Sequence, residues 1–232
     1  HVAGEPDAPL PAALPQIAVR VPAAQLGRDV VAFERVRARG RLGVASNGPV
    51  VGTVARLVAS KGVDRLIRSF EKIRTAMPGT SLLIVGDGEE RGRLEQVAAA
   101  CGVREAVRFA GTLPETRVAL SLMDVFVFLP ATQEGFGLAL LEAMASGRPI
   151  VAVRQGGGAP WVLDQASIVA VEPEDLRGLA AAVTRFLQDE GAARRAAEQA
   201  RAVAQERYSI GRMVAEIEAV YRELVDKSRR IH

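Results

Sequence analysis

Two cations that could bind phosphate stand close together after a short apolar run. Residues 51–57 read VGTVARL and contain Arg56, and Lys61 follows in the sequence SKG. Arginine offers a planar fork that matches phosphate oxygens, whereas lysine offers a compact point charge. The pair could clamp a diphosphate and stabilise it as a leaving group. The same residues would suit a solvated loop before a helix equally well, and both interpretations stay open here.

A second candidate anion site is a glycine turn that runs into a helical pattern. Residues 130–137 read PATQEGFG and continue directly into LALLEAMA. The glycines let the backbone approach a ligand, and the start of the helix directs N–H groups and its positive dipole end to the same point. Glu134 precedes the turn and Glu142 lies in the helix behind it. One carboxylate could face a sugar while the other reaches a ribose; in isolation, an acid on a helix is more often solvated.

Two further glycine-containing turns are weaker signals. Residues 84–90 read IVGDGEE, with Gly86 at the end of an apolar run, and acids in a first helical turn suit the helix dipole without any ligand. Residues 155–160 read QGGGAP. Their backbone N–H groups could contact a phosphate, or the glycines could mark a mobile connection.

The elements that must position these residues alternate in type from residue 50 onward. Short runs rich in Val, Ile and Phe alternate with amphipathic stretches, which predicts a doubly wound α/β fold with a parallel sheet, Rossmann-like in kind. We predict strands at 50–54, 81–85, 107–110, 125–129, 150–153 and 168–171. We predict helices at 62–76, 89–101, 115–122 and 138–146, and a turn near 159–163.

The two ends of the chain differ in character from this middle part. Residues 1–46 are predicted to be a linker or the remnant of an N-terminal domain, with a strand-like piece at 17–21 and a helix-like piece at 28–41. Residues 47–207 form the predicted α/β domain. After residue 172, three helices are predicted, with breaks near Gly191 and Ser209. The last helix, at 208–232, carries an apolar stripe formed by Ile210, Met213, Ile217, Val220, Tyr221 and Leu224. We expect either another domain or a second copy of the chain to pack against this stripe.

The order of these signals, each at the carboxyl end of a predicted strand, resembles a known family. From about residue 50 to residue 207 the chain resembles the C-terminal domain of the family 4 (group 1) retaining glycosyltransferases, which have the two-domain GT-B architecture. The most specific mark is the E-x7-E element EGFGLALLE, from Glu134 to Glu142. Supporting matches are VGTVARLVASKG, LLIVGDGEE, VRFAGTL and LLEAMASGRPIVAV.

This resemblance implies transfer of a sugar from a nucleoside diphosphate sugar, with retention, to an acceptor that the sequence does not identify. Arg56 and Lys61 would bind the diphosphate, Glu134 the donor sugar and Glu142 the ribose. The departing phosphate would help to deprotonate the acceptor, so neither a metal nor another cofactor is implied. Further substrate-binding residues implied by the resemblance are Gly135, Phe136, Gly137, Leu138, Leu113, which would lie beside the base, and Gly86.

Departures from the family pattern lead to further expectations. Trp161 stands where a carboxylate is usual, and Ala131 where a Ser is common. The glycine-rich acceptor loop and the histidine of an N-terminal domain have no counterpart, so we expect a missing or separate acceptor domain. One alternative, from a different class, is a non-catalytic nucleotide-sugar-binding or scaffold module. Another is a twin-Rossmann sugar epimerase, which would share the fold and the nucleotide.

Composition excludes several other classes of protein. The chain has 232 residues, 49% hydrophobic, with one Cys and two His, so it can bury a core but has little with which to hold a transition metal. Scattered arginines give a net charge of +3, and only 4% of residues are aromatic, which disfavours nucleic acid. The charge suits a phosphate ligand, an anionic membrane surface or a merely solvated face. No apolar run approaches roughly 20 residues, so we expect a cytoplasmic location, with the inner membrane face as the alternative.

Overall fold

One parallel sheet organises the protein. The computed structural model describes residues 36–129, 137–154, 162 and 168–231, with side chains described up to residue 224. The strand order is β3-β2-β1-β4-β5-β6, and every neighbouring pair is parallel. The strands are β1 (Val50–Val54), β2 (Ser81–Val85), β3 (Val107–Phe109), β4 (Val125–Phe128), β5 (Ile150–Val153) and β6 (Val169–Val171). This arrangement confirms the predicted doubly wound fold.

Helices connect the strands and extend beyond the last one. Residues 36–41 are helical and are called α1 here. The others are α2 (Val63–Ala76), α3 (Arg91–Ala100), α4 (Thr116–Leu122), α5 (Leu138–Ala145), α6 (Leu176–Gln188), α7 (Glu190–Arg207) and α8 (Ile210–Ile231). The strands and helices predicted for the middle of the chain are confirmed to within one or two residues at each end. Val162 is helical, whereas the rest of the predicted turn at 159–163 lies outside the described residues.

The break predicted near Gly191 is present, two residues earlier, at Asp189. The carboxylate of Asp189 accepts a hydrogen bond from the backbone N–H of Ala192 and so caps α7. Asparagine and aspartate are favoured at this position because they satisfy an N–H group that the helix itself leaves without an acceptor. The chain therefore changes direction at Asp189, and Gly191 lies inside α7.

Two apolar layers, one on each face of the sheet, hold the helices in place. Helices α2, α3 and α6 pack on one face, and α4, α5 and α7 pack on the other. In α2 the buried side chains include Leu66, Ile67 and Phe70, and burial of each such side chain stabilises the fold by roughly 1.5–3 kcal/mol. The helix before β3, α3, thus lies on one face of the sheet, and the helix after it, α4, lies on the other. A doubly wound fold requires this change of face.

The segment before β1 packs on the amino ends of the strands. The Arg39 side chain is largely buried, and its guanidinium donates to the carbonyl oxygens of Ala45 and Gly48 at 2.9 and 3.0 Å. Val44 belongs to the same apolar layer as α4 and α5. The predicted domain boundary at residue 46 stays a prediction, as does the linker or remnant before it.

Helix α8 exposes its apolar stripe to solvent. The exposed fractions of its large apolar residues run from 44% for Val214 to 66% for Tyr221. The stripe predicted from the sequence is thus present, but it is not covered by the described part of the chain. None of the described helices combines the length and apolar character that crossing a bilayer requires.

Candidate functional site

The topology places the carboxyl ends of β1 and β4 side by side. These strands are neighbours, with Val51 paired to Val125 and Gly52 to Phe126, yet their connections lead to opposite faces of the sheet. Open α/β sheets bind ligands outside the carboxyl ends of the strands at such a switch point. The loop after β1 carries Arg56 and Lys61, and the chain after β4 leads to Gly137 and α5.

The backbone on both sides of Arg56 is firmly held. The N–H of Ala55 donates to the carbonyl of Val85 at 3.0 Å, which continues the pairing of β1 with β2. Leu57 is fully buried; its N–H donates to Asp87 O at 2.9 Å, and its carbonyl accepts from Glu90 N at 3.0 Å. The side chain of Arg56 is exposed between these two attachments. The backbone at Arg56 is therefore fixed at the carboxyl end of β1, with its side chain exposed.

Lys61 belongs to the same loop. It ends a short 3-10 helix, Ala59–Lys61, and is half-buried. Gly62 follows with φ 57° and ψ 28°, in the left-handed region, and begins α2. This conformation favours glycine, so the SKG sequence turns the chain at that residue. The two predicted phosphate-binding cations are thereby brought to one loop at the carboxyl end of β1.

The loops after β2 and β3 lie at the same edge of the sheet, where the strands have their carboxyl ends. Gly86 has φ 123°, and its N–H donates to the carbonyl oxygen of Gly111 at 2.8 Å, which joins the two loops. Leu113 lies further along the second loop and is half-buried against the α4–α5 layer. Gly86 and Leu113, both predicted to bind substrate, therefore lie on loops linked to each other and to the Arg56 loop.

The acids in the turn after β2 have local partners. The Asp87 carboxylate accepts from the backbone N–H of Gly88 at 2.8 Å and from Arg91 at 3.0 Å. These interactions, with the Gly88 hydrogen bond the larger, lower the pKa of Asp87. Glu90 is paired with Arg93. These contacts favour the interpretation that the acidic turn is structural.

Gly137 determines how α5 begins. Its φ of 77° and ψ of 61° are left-handed, and a Cβ atom there would lie 2.8 Å from Cζ of Phe128. Conformation and space therefore both require glycine. The next residue, Leu138, is 72% exposed, whereas Leu140 is buried and donates its N–H to the Gly137 carbonyl oxygen at 2.8 Å. Because the first N–H groups of a helix have no acceptor within it, those of Leu138 and Ala139 are the candidates for binding a ligand. Glu134, Gly135 and Phe136 lie outside the described residues, as do residues 155–160, Ala131 and Trp161.

Glu142 is half-buried, and it is hydrogen-bonded to a residue that the sequence analysis missed. The hydroxyl of Thr116, at the start of α4, donates to Glu142 Oε2 at 2.8 Å. Glu142 is therefore not a solvated helix acid. Nothing in the local sequence around Thr116 indicates this contact, because its partner is 26 residues away. Among the described residues, no group of three or more His, Cys, Asp or Glu could hold a metal ion.

Comparison with known proteins gives the family. The model of the family "Glycosyl transferases group 1" matches residues 34–203. The chain belongs to this family. A lipopolysaccharide core biosynthesis glycosyltransferase of Rhizobium meliloti is 35% identical to this group 1 domain over 161 residues, which are 69% of this chain and 46% of the relative.

Further relatives extend this comparison. A GDP-mannose-dependent α-(1-6)-phosphatidylinositol monomannoside mannosyltransferase of Mycolicibacterium smegmatis is 37% identical over 163 residues, 67% of this chain and 42% of the relative. The crystal structure of Anabaena HepE with UDP-glucose superposes with a TM-score of 0.74 at 26% identity, covering 82% of this chain and 53% of the other. The solved structures similar to this group 1 domain are GT-B glycosyltransferases. The chain spans less than half the length of these curated relatives.

Proposed function

We propose that this chain is the C-terminal, donor-binding half of a retaining family 4 glycosyltransferase, which transfers a sugar from a nucleoside diphosphate sugar. The observation that carries this proposal is the pairing of β1 with β4, the two strands whose carboxyl ends lead to the two candidate anion-binding features. The loop with Arg56 and Lys61 follows β1, the first turn of α5 comes after β4, and these strands are paired. A diphosphate lying across the two strand ends would contact both.

Each residue then has a role in stabilising charge. As the sugar leaves, the electron pair of the breaking bond passes to the diphosphate, so negative charge grows on its oxygens. Arg56, Lys61 and the N–H groups at the start of α5 would stabilise that charge, in the way that prearranged donors lower a barrier. On the same face of the sugar, the departing phosphate oxygen would accept the acceptor's proton, which gives retention without a metal.

The remaining residues would select and orient the donor. Glu142 would accept from a ribose hydroxyl, while Gly86 and Leu113 would lie beside the base. Glu134, Gly135 and Phe136 would contact the sugar, in accordance with the resemblance of EGFGLALLE to the E-x7-E element. The UDP-glucose in HepE and the GDP-mannose dependence of the mycobacterial relative support a nucleoside diphosphate sugar as the donor class. The acceptor would be bound by a separate domain.

Titration calorimetry of the 232-residue chain with UDP, GDP and ADP tests the proposal. We expect one of them to bind with micromolar affinity and to raise the melting temperature, since a ligand that binds only the folded state stabilises it. Absence of binding by all three, with circular dichroism showing a folded chain, would refute the proposal. Donor hydrolysis and transfer assays, alone and with an N-terminal half from a relative, distinguish an enzyme from a non-catalytic binding module.

A further inference from the structure

The two carboxylate oxygens of Glu142 lie in different environments, because Thr116 is hydrogen-bonded to only one of them. Thr116 Oγ1 lies 2.8 Å from Glu142 Oε2. An ionised carboxylate only accepts, so the hydroxyl is the donor. No hydrogen bond from a described residue reaches the other oxygen, Oε1. Both residues are half-buried, so the bond is formed next to solvent rather than within the core.

The contact forms between two helices that share an apolar layer. Helices α4 and α5 lie on the same face of the sheet and share an apolar layer, to which α4 contributes Ala119 and Leu120 and α5 contributes Leu140 and Ala143. With these side chains buried, the first turn of α4 reaches the second turn of α5. Burial of these side chains in one layer therefore holds α4 and α5 in the relative position at which the hydrogen bond forms.

We propose that Thr116 is a positioning residue for nucleotide binding: it holds Glu142 in the rotamer that presents Oε1 to a ribose hydroxyl of the donor. The inference rests on the proposed function, in which Glu142 binds the ribose. A glutamate that is mobile before binding loses rotamer freedom when it binds, at a cost on the order of 10-fold in affinity. A glutamate already held by Thr116 avoids that loss.

The test compares three forms of the chain: unmodified, Thr116→Val and Thr116→Ser. Valine keeps the shape of threonine without its hydroxyl, whereas serine keeps the hydroxyl without the methyl group. Dissociation constants are measured by calorimetry for whichever of UDP, GDP and ADP binds most tightly, and for its 2′-deoxy and 3′-deoxy forms. The same ligands are measured for Glu142→Ala and for the double variant Glu142→Ala/Thr116→Val.

We expect the unmodified chain to prefer the ribose form over at least one deoxy form by about 10-fold, as for a hydrogen bond to a charged group. Thr116→Val should weaken binding of the ribose form about 3- to 10-fold and leave that deoxy form nearly unchanged. Thr116→Ser should behave like the unmodified chain. In the Glu142→Ala background, Thr116→Val should have no further effect, because coupled residues are not additive.

Other results would overturn the inference in distinguishable ways. If the unmodified chain binds none of the three nucleotides, or binds without preference for ribose, the assigned role of Glu142 fails and the inference fails with it. If the ribose preference is present, is lost in Glu142→Ala, and survives in Thr116→Val, the inference alone fails. If Thr116→Ser loses the preference as fully as Thr116→Val, the residue acts through packing and not through its hydroxyl.

Discussion

Gly86 lies against the backbone of Ala55 so closely that a Cβ atom on Gly86 would stand 1.9 Å from the Ala55 carbonyl oxygen. Ala55 directly precedes Arg56, and its own N–H is bonded to Val85. The absence of a side chain at Gly86 thus permits the approach of the β2–α3 turn to the loop that presents Arg56.

Gly86→Ala should therefore damage both stability and the site. Its backbone cannot move away without breaking the hydrogen bond to Gly111, and its φ of 123° is strained for alanine. We expect the free energy of unfolding, measured by chemical denaturation, to fall by about 2–4 kcal/mol. Gly92→Ala is the matched control: Gly92 is exposed in α3 with no atom near its Cβ position. It should stabilise the chain by up to about 1 kcal/mol; equal losses in both variants would contradict this account.

Removal of either cation after β1 should weaken nucleotide binding directly. Arg56→Ala is expected to cost about 1.5–3 kcal/mol of binding free energy, as for a lost charged hydrogen bond, and Lys61→Ala should act in the same direction. Calorimetry with the best nucleoside diphosphate measures this. The control is Arg185→Ala, an exposed arginine in the last turn of α6. An unchanged affinity for the nucleoside diphosphate in Arg56→Ala would show that the guanidinium does not contact the diphosphate.

Replacing Glu134 should weaken binding of the donor sugar but not binding of the nucleotide. If its carboxylate contacts the donor sugar, Glu134→Ala should bind the free nucleoside diphosphate as the unmodified chain does, and should lose any additional affinity for the corresponding nucleotide sugar. Transfer by the chain combined with an acceptor domain should fall further than binding. If Glu134→Ala instead loses affinity for the nucleoside diphosphate and keeps the additional affinity for the nucleotide sugar, the roles assigned to Glu134 and Arg56 are reversed.

The Asp87 carboxylate gives a pH dependence of stability. The Gly88 N–H and, to a smaller extent, Arg91 lower its pKa below the ordinary value of 3.8. A group whose pKa is lower in the folded state stabilises that state above the unfolded pKa, and this contribution is lost as pH falls through the folded pKa. Asp87→Asn should therefore be less stable than the unmodified chain at pH 7, and the difference should shrink below pH 3.8. Denaturation at several pH values measures it; a difference that does not vary with pH would contradict this origin.

The apolar stripe of α8 should bind a surface and contribute little to the stability of the α/β domain. Replacing Met213, Ile217 and Tyr221 by serine should reduce hydrophobic-dye fluorescence and self-association, because these residues are 47–66% exposed and form one face. Nucleotide affinity should not change. Glu216→Ser/Glu218→Ser on the same helix is the control. A substantial loss of domain stability in the triple variant would show that the stripe packs within the chain.

Sequence patterns predicted the sheet better than the site. The bounds of β1, β2 and β5 are as predicted, because each is a short run of buried apolar residues ended by a turn signal. The location of Arg56 and Lys61 after β1 followed from the same pattern. The break predicted near Gly191 lies two residues earlier, at Asp189, because the hydrogen bond from Ala192 N–H to the Asp189 carboxylate determines where α7 begins.

The amino-acid sequence by itself determined the alternation of strands and helices, the two cations after β1, and the glycine turn before α5, since each depends on periodicity and on residues near in the chain. The tertiary structure decided which elements and residues are neighbours: the pairing of β1 with β4, the approach of Gly86 to Ala55, and the hydrogen bond from Thr116 to Glu142. These depend on how buried apolar layers align separate helices and strands, and such alignment is a property of the whole packed domain.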